Sequence, residues 1–300
     1  MNLSIGRINL VTKPEEDAGV DPIDQAEQPQ ASALYQRRID DYVKFIYSRS
    51  DRNVRSNANF QSLKKHMEWV YGRQTVLFCV DVEAWERNTQ VVTEIGVSIY
   101  DPEEQENALT PVIRTYHIVI DKNQNKRNGR FVPDHMNNFM EGTSVLLPMY
   151  QAKTLLQKLV DKYFGQWATK WCTLVGHDLR NDIDYLAKIG IHVPPSCLQL
   201  DTQKVFAYSH GSYGASLQNA LRTVKQPFAF LHNAANDAYF TVMLALKLCD
   251  PNARLALGLD ILAAGENVGD RKEYTKLPTN TSVAVYTDPE IILRELSGQI

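Results

Sequence analysis

The chain has 300 residues, of which 44% are hydrophobic and 22% charged, with a formal net charge of −3. This is an ordinary composition for a soluble globular protein of one large domain or two small ones. It creates no global basic field, so a nucleic-acid partner requires a local basic patch.

No apolar run approaches the roughly 18 residues of a membrane span. The N-terminus lacks the apolar core of a signal peptide. Its first thirteen residues hold Arg7 and Lys13 and no acid, a faint organelle-targeting pattern that the acids from Glu15 onward counter. The expected compartment is the cytoplasm, the nucleus or both, with a mitochondrial address left open. Cys79, Cys172, Cys197 and Cys249 form no C-x-x-C pair and read as thiols in a reducing compartment.

Residues 14–31, "PEEDAGVDPIDQAEQPQA", are acidic and poor in large apolar groups, so residues 1–30 are predicted to be disordered. From Ala31 the pattern changes. Tyr35, Ile39, Tyr42, Val43 and Ile46 form one helical stripe, and Phe60, Leu63, Met67, Val70 and Tyr71 form a second. Residues 31–73 are therefore predicted to be a helical appendage.

The main domain is predicted over residues 74–250. "TVLFCVDVE" reads as a buried strand, "VVTEIGVSIYD" as a second and "IRTYHIVID" as a third, joined closely enough for an antiparallel meander. A polar loop, "KNQNKRNGRFVPDHMNN", follows. "LLPMYQAKTLLQKLVDKYFG" reads as a helix, "WCTLVGHD" as a strand entering the helix "LRNDIDYLAKIG", and "CLQLDTQKV" as a strand. "SLQNALRTV" and "NAANDAYFTVMLALKLC" read as helices. This order implies an α/β fold, a mixed sheet flanked by helices. Residues 251–300 form a C-terminal extension, with a short helix predicted at "DPEIILREL".

Three segments carry candidate chemistry. Asp81 and Glu83 lie two apart on a strand, so both side chains point to one face. Unpaired charges there are costly, and a hard divalent cation would reverse the sign of that cost. A strand end emerging into solvent is the plainer explanation of that pair taken alone. Asp178 and Asp182 are one helical turn apart at the carboxyl end of a strand, where α/β sheets bind ligands. Asp178 also fits an N-cap, and Asp184 a solvated helix charge. His232 precedes a helix and Asp237 lies in its first turns. Five residues is not a same-face spacing, so the two meet only if His232 sits in the preceding loop.

Taken in order, "VDVEAW", "GHDLRND" and "HNAAND" resemble the motifs of the DEDD exonuclease superfamily in its histidine-bearing branch. The tyrosine branch would place an aromatic four residues before the last acid, where this chain has Asn233. "TEIGVSIYD" and "NGRFVPD" are also similar to a fungal subgroup named for supporting an mRNA-export DEAD-box helicase.

The resemblance implies a ribonuclease H-like fold and two-metal hydrolysis of single-stranded RNA or DNA from the 3′ end, giving nucleoside 5′-monophosphates. It implies that Asp81, Glu83, Asp182 and Asp237 hold two Mg²⁺ or Mn²⁺ ions and that His232 is the general base. Ala84, Trp85 and His177 fall where the family contacts substrate. Trp85 either stacks on a base or packs. Asp178 departs from the family's usual Asn and adds negative charge. The basic stretch "DKNQNKRNGR" adds Lys126, Arg127 and Arg130 as candidate substrate contacts. The alternative is a catalytically weak scaffold that binds RNA or a helicase.

Overall fold

The computed structural model describes residues 24–54, 56–166, 168–210 and 215–262. Strand β1 (Val76–Trp85) is buried from Val76 to Val80, which is why its sequence is continuously apolar. From Asp81 onward its residues are only half-buried, so the strand leaves the core where its acids begin.

A tight turn leads into β2 (Asn88–Tyr100), antiparallel to β1, and β3 (Arg114–Ile120) continues the meander. Strands β5 (Cys172–Gly176) and β6 (Leu198–Asp201) add in parallel on the other side of β1. The sheet order is β4-β3-β2-β1-β5-β6, with β4 (Val145–Leu147) parallel to β3 at the edge. This mixed sheet, antiparallel from β3 to β1 and parallel from β1 to β6, is the ribonuclease H-like arrangement.

The two faces of the sheet differ. Val76, Phe78 and Val80 pack with Ala152, Leu156 and Val160 of α3 (Met149–Phe164) and with Leu179 and Leu186 of α4 (Leu179–Lys188). Side chains alternate along a strand, so Leu77, Cys79, Asp81 and Glu83 face the opposite side. There α7 (Ala234–Leu248) packs across β1, β2, β3 and β5, buried at most of its positions. The apolar run of α7 follows from that burial.

Helices α1 (Asp24–Ser48) and α2 (Asn57–Val70) pack together. Helix α1 also rests on α8 (Pro251–Leu257), and α2 on α5 (Thr202–His210). Helix α6 (Leu217–Thr223) packs on α5 and α7. Beyond α1, the amide of Asn53 donates to the carbonyl of Asp260 and that of Leu262 to the carbonyl of Asp51, both at 2.8 Å. Below this pairing the fully buried guanidinium of Arg254 meets Asp260 at 2.6 and 2.8 Å. The hydroxyls of Tyr42 and Ser209 also donate to Asp260. Burial alone would raise the Asp260 pKa, but Arg254 and the two hydroxyls hold it below the usual range.

Several boundaries differ from the sequence expectation. Leu146 and Leu147 do not start a helix but belong with Val145 to the short strand β4, parallel to β3. Pro148 then serves as the N-cap of α3. The strand predicted over residues 197–205 ends at Asp201, whose carboxylate accepts from the Gln203 amide at 3.0 Å as α5 begins. Helix α8 was not anticipated, and α1 starts at Asp24 rather than near Ala31. The disorder expected over residues 1–23 and the helix expected near Asp288 lie outside the described residues. Cys79, Cys172 and Cys249 are buried, Cys197 is half-buried, and all four are free thiols. No helix among the described residues is long and apolar enough to cross a membrane.

Candidate active site

Glycine at position 96 lets α7 reach the acids of β1. Gly96 is the register partner of Asp81. A Cβ on Gly96 would lie 2.1 Å from the carbonyl oxygen of Ala234. Only glycine allows the first turn of α7 to sit on β2 there. Asn233 caps that turn, accepting from the Asn236 amide at 3.1 Å. Its own amide group donates to the carbonyls of His135 and Met136 at 3.1 and 3.2 Å, which fastens the polar loop to the helix start.

His232 stands outside the helix, in a left-handed conformation with φ of 68°. Its backbone N–H donates to Asp237 Oδ2 at 2.9 Å. Its ring Nδ1 lies 3.9 Å from Glu83 Oε1. One donor atom each from Glu83, His232 and Asp237 fall within 4.8 Å of one another. The His232 side chain is 41% exposed against 18% for Glu83, so the histidine is on the solvent side of the cluster.

Asp182 comes from α4 and is buried. A Cβ at Gly176, the last residue of β5, would lie 2.8 Å from Asp182 Oδ2. That glycine lets the carboxylate fold back over the strand end.

The electrostatics bind the acids into one group. Burial, then the charges of Asp237, Asp182, Glu83 and Glu94, hold the Asp81 carboxyl well above its ordinary range. Burial and the charges of Asp237, Glu94 and Asp182 push Glu83 up to about 8. Burial raises Asp237 to about 7, against the opposing hydrogen bond from His232. Asp182 is raised well above its range by burial, Asp178, Asp201 and Asp237. Burial, followed by the charge of His135, lowers His232, so its ring is neutral near pH 7.

Asp237 Oδ1 is buried with no hydrogen-bond partner. A buried polar atom left unpaired is costly, and clustered carboxylates repel. A divalent cation removes both costs. Carboxylate oxygens such as those of Glu83 and Asp237, which converge with His232, suit hard divalent ions such as Mg²⁺ and Mn²⁺.

A fifth acid, Glu94, was missed in the sequence. It is buried and is the register partner of Glu83. It accepts from His117 Nε2 at 2.9 Å and from the Ala234 amide at 3.4 Å. The Ser144 hydroxyl lies 2.7 Å from His117 Nδ1. A lone acid inside the apolar run "VVTEIGVSIY" was the available signal.

The remaining candidates divide. Trp85 is half-buried, with Lys126 Nζ 4.7 Å and the Arg87 guanidinium 5.9 Å from its ring centroid. The Ala84 carbonyl accepts from Asn128 at 3.2 Å. The Glu86 carboxylate accepts from the amides of Arg130 and Phe131 at 3.1 and 2.9 Å, strapping the basic loop to the end of β1. The Arg130 side chain lies 5.1 Å from the Phe131 ring centroid.

Arg127 is half-buried and ion-paired to Asp134 at 2.6 Å. His177 is also engaged within the protein: its Nε2 donates to the Ala215 carbonyl at 2.7 Å and its Nδ1 lies 2.9 Å from the Thr202 hydroxyl. Burial lowers its pKa, in keeping with a neutral ring. Asp178 stands at the N-cap of α4, but its carboxylate makes no capping bond and accepts from the Asn181 side chain at 2.6 Å. Asp184 is exposed.

Comparison with known proteins places this geometry. Residues 76–248 match the family described as "DNA polymerase III subunit epsilon-like, C-terminal domain". The match runs from the first residue of β1 to the last of α7. An uncharacterized protein of Saccharomyces cerevisiae is 39% identical over 68% of this chain and 47% of its own length. "Good for full DBP5 activity protein 2" of the same organism is 33% identical over 72% of this chain and 43% of its own. An uncharacterized nucleolar protein of Schizosaccharomyces pombe is 32% identical over 54% of this chain and 64% of its own. The chain thus spans under half the length of the two Saccharomyces relatives. With β1 to α7 matched end to end, the chain belongs to the DEDDh family of exonuclease-like domains.

Proposed function

We propose that the chain is a divalent-metal-dependent exonuclease that removes nucleoside 5′-monophosphates from the 3′ end of single-stranded RNA or DNA. The observation that carries this reading is the convergence of Glu83, His232 and Asp237 within 4.8 Å, together with an Asp237 oxygen that no protein group satisfies. Asp81, Glu83, Asp182 and Asp237 would hold two Mg²⁺ or Mn²⁺ ions. Bound divalent cations supply charge neutralisation at a scissile phosphate.

The chain's own residues do the rest. His232, neutral near pH 7, takes the proton of the attacking water as that oxygen bonds to phosphorus. The bond from phosphorus to the 3′ oxygen of the preceding nucleotide breaks, and that oxygen takes a proton from solvent water to leave as a hydroxyl. The amide tie from His232 to Asp237 fixes the histidine relative to the acids. Ala84 and Trp85, with Lys126 and Arg130 on the strapped loop, contact the terminal nucleotide. In this reading residues 74–250 are the catalytic domain, flanked by the helices of 31–73 and an extension over 251–300. Its place is the nucleus or the cytoplasm.

A second reading, a scaffold for RNA or a helicase, is favoured by the name "Good for full DBP5 activity protein 2" carried by one relative. Incubation with 3′-labelled and 5′-labelled strands separates the two. Immediate release of the 3′ label and stepwise shortening of the 5′-labelled strand supports the exonuclease. Intact strands in both Mg²⁺ and Mn²⁺ support the scaffold.

A further inference from the structure

A cleft of about 520 Å³ opens between α2, α4, β6 and α5. Its volume lies in the ordinary range of ligand pockets, roughly 300–1,000 Å³. Helix α2 supplies one wall and lies outside the family match, so the DEDDh domain alone does not build this cleft.

The lining combines two chemistries. Lys65, Arg180 and Lys204 bring three positive charges, and Asp201 is the acid among the lining residues. Lys204 Nζ lies 3.6 Å from Asp201. Arg180 and Lys65 make no ion pair among the described residues, and Lys65 Nζ lies 4.8 Å from the Trp69 ring centroid. All three cations are exposed, so their charge is available to a ligand.

The second chemistry is a row of rings. The His66 ring contacts both Trp69 and Tyr208, with centroids 5.3 and 6.3 Å away. The His66 and Tyr208 planes differ by only 8°. Burial and the charge of Lys65 push His66 down to about 4, so the row is uncharged near neutral pH. Cations that can take phosphates, beside flat neutral rings that can take bases, are the combination that binds single strands without sequence preference.

The cleft adjoins the candidate active site. Asp182 belongs to α4, the helix that also presents Leu179, Arg180 and Ile183 to the cleft. Asp201 lines the cleft and is the register partner of Gly176, the glycine over which the Asp182 carboxylate folds. We propose that this cleft binds nucleotides of a single strand upstream of its 3′ end, with phosphates on Lys65, Arg180 and Lys204 and a base against the row containing Trp69 and Tyr208. The assignment of the strand rests on the exonuclease reading. The ligand chemistry, a base with its phosphate, does not.

The test is binding of a fluorescently labelled oligothymidylate to the full chain in EDTA, followed by anisotropy across a salt series. The variant is Lys65→Ala/Arg180→Ala/Lys204→Ala, with Lys44→Ala on α1 as a surface control. The triple variant should bind at least roughly tenfold more weakly, and its salt slope should fall by about 2, since each single-strand phosphate contact contributes about 0.7. The control should match wild type. Unchanged affinity and slope in the triple variant would overturn the proposal. Free thymidine monophosphate should compete only weakly. Full displacement at nucleotide concentrations matching the strand would overturn the strand assignment and make this a mononucleotide site. Because the assay omits metal, absence of hydrolysis in Mg²⁺ or Mn²⁺ would count against the exonuclease reading alone.

Discussion

The backbone N–H of His232 donates to Asp237 Oδ2 at 2.9 Å, across a left-handed turn that keeps the histidine outside α7. One acid is thereby held from its own helix start, and the ring of His232 is left free to face Glu83. The tie uses the main chain, so it survives replacement of the side chain.

His232→Asn tests this separation of roles. Asparagine tolerates the left-handed conformation, so the tie to Asp237 should persist. Loss of a general base costs about 100- to 10,000-fold. Turnover should fall by that much, and the deficit should shrink as hydroxide rises with pH. Mn²⁺ affinity measured by calorimetry should stay within a few-fold of wild type. Collapse of that affinity would make His232 a metal ligand.

Stability without metal should depend on pH in a fixed direction. Glu83 and Asp237 titrate at about 8 and about 7 in the folded protein, above their ordinary values. Burial lowers His66, His177 and His232, which opposes the acids below about pH 6.5. Above it these rings are neutral in both states, so the folded state holds more protons than the unfolded state up to about pH 8, and stability falls as pH rises through that window. In EDTA, Tm should decline from about pH 6.5 towards pH 8, and Mn²⁺ should flatten the decline. Asp81→Asn removes one of the repelling charges, so it should melt no lower than wild type in EDTA and respond much less to Mn²⁺. An EDTA profile that rises over the same window would contradict the acid cluster.

Much of this arrangement was legible in the sequence. A continuously apolar strand ending in Asp-x-Glu fixed both acids on one face through the two-residue period of a strand. The five-residue gap from His232 to Asp237 required a loop histidine. Glu94 showed only as a lone acid in an apolar run, and its partners His117 and Ala234 come from distant segments. Leu146 and Leu147 continue the apolar spacing of α3, so β4 was hidden until β3 supplied a partner. The ion pair of Arg127 was hidden because its partner, Asp134, lies beyond the basic stretch.

Gly96→Ala should act on fold and site together. The new methyl group would sit 2.1 Å from the Ala234 carbonyl, so α7 must shift. Overpacking of this kind costs about 1–3 kcal/mol, occasionally more. Urea denaturation should show that loss, and metal affinity should fall with it. Wild-type stability and affinity would mean that the helix start is not seated as described.

The buried Arg254–Asp260 pair should hold α1, α5 and α8 together. Removal of one partner from a buried ion pair costs about 3–5 kcal/mol. Asp260→Ala should therefore lower stability by that order, whereas replacing both partners with apolar residues should recover part of the loss. The measurement is denaturant unfolding of the single and double variants. A single variant as stable as wild type would remove the pair from the account.

The central claim is that four carboxylates and His232 form a metal-dependent nuclease site. The most direct measurement is the rate of 3′ shortening of a single strand by wild type and Asp81→Asn in Mn²⁺, Mg²⁺ and EDTA. The account predicts shortening by wild type in either metal, none in EDTA, and a loss of about 100-fold or more in Asp81→Asn, since metal-assisted charge stabilisation supplies several kcal/mol. Equal rates in EDTA, or an Asp81→Asn variant as fast as wild type, would contradict it.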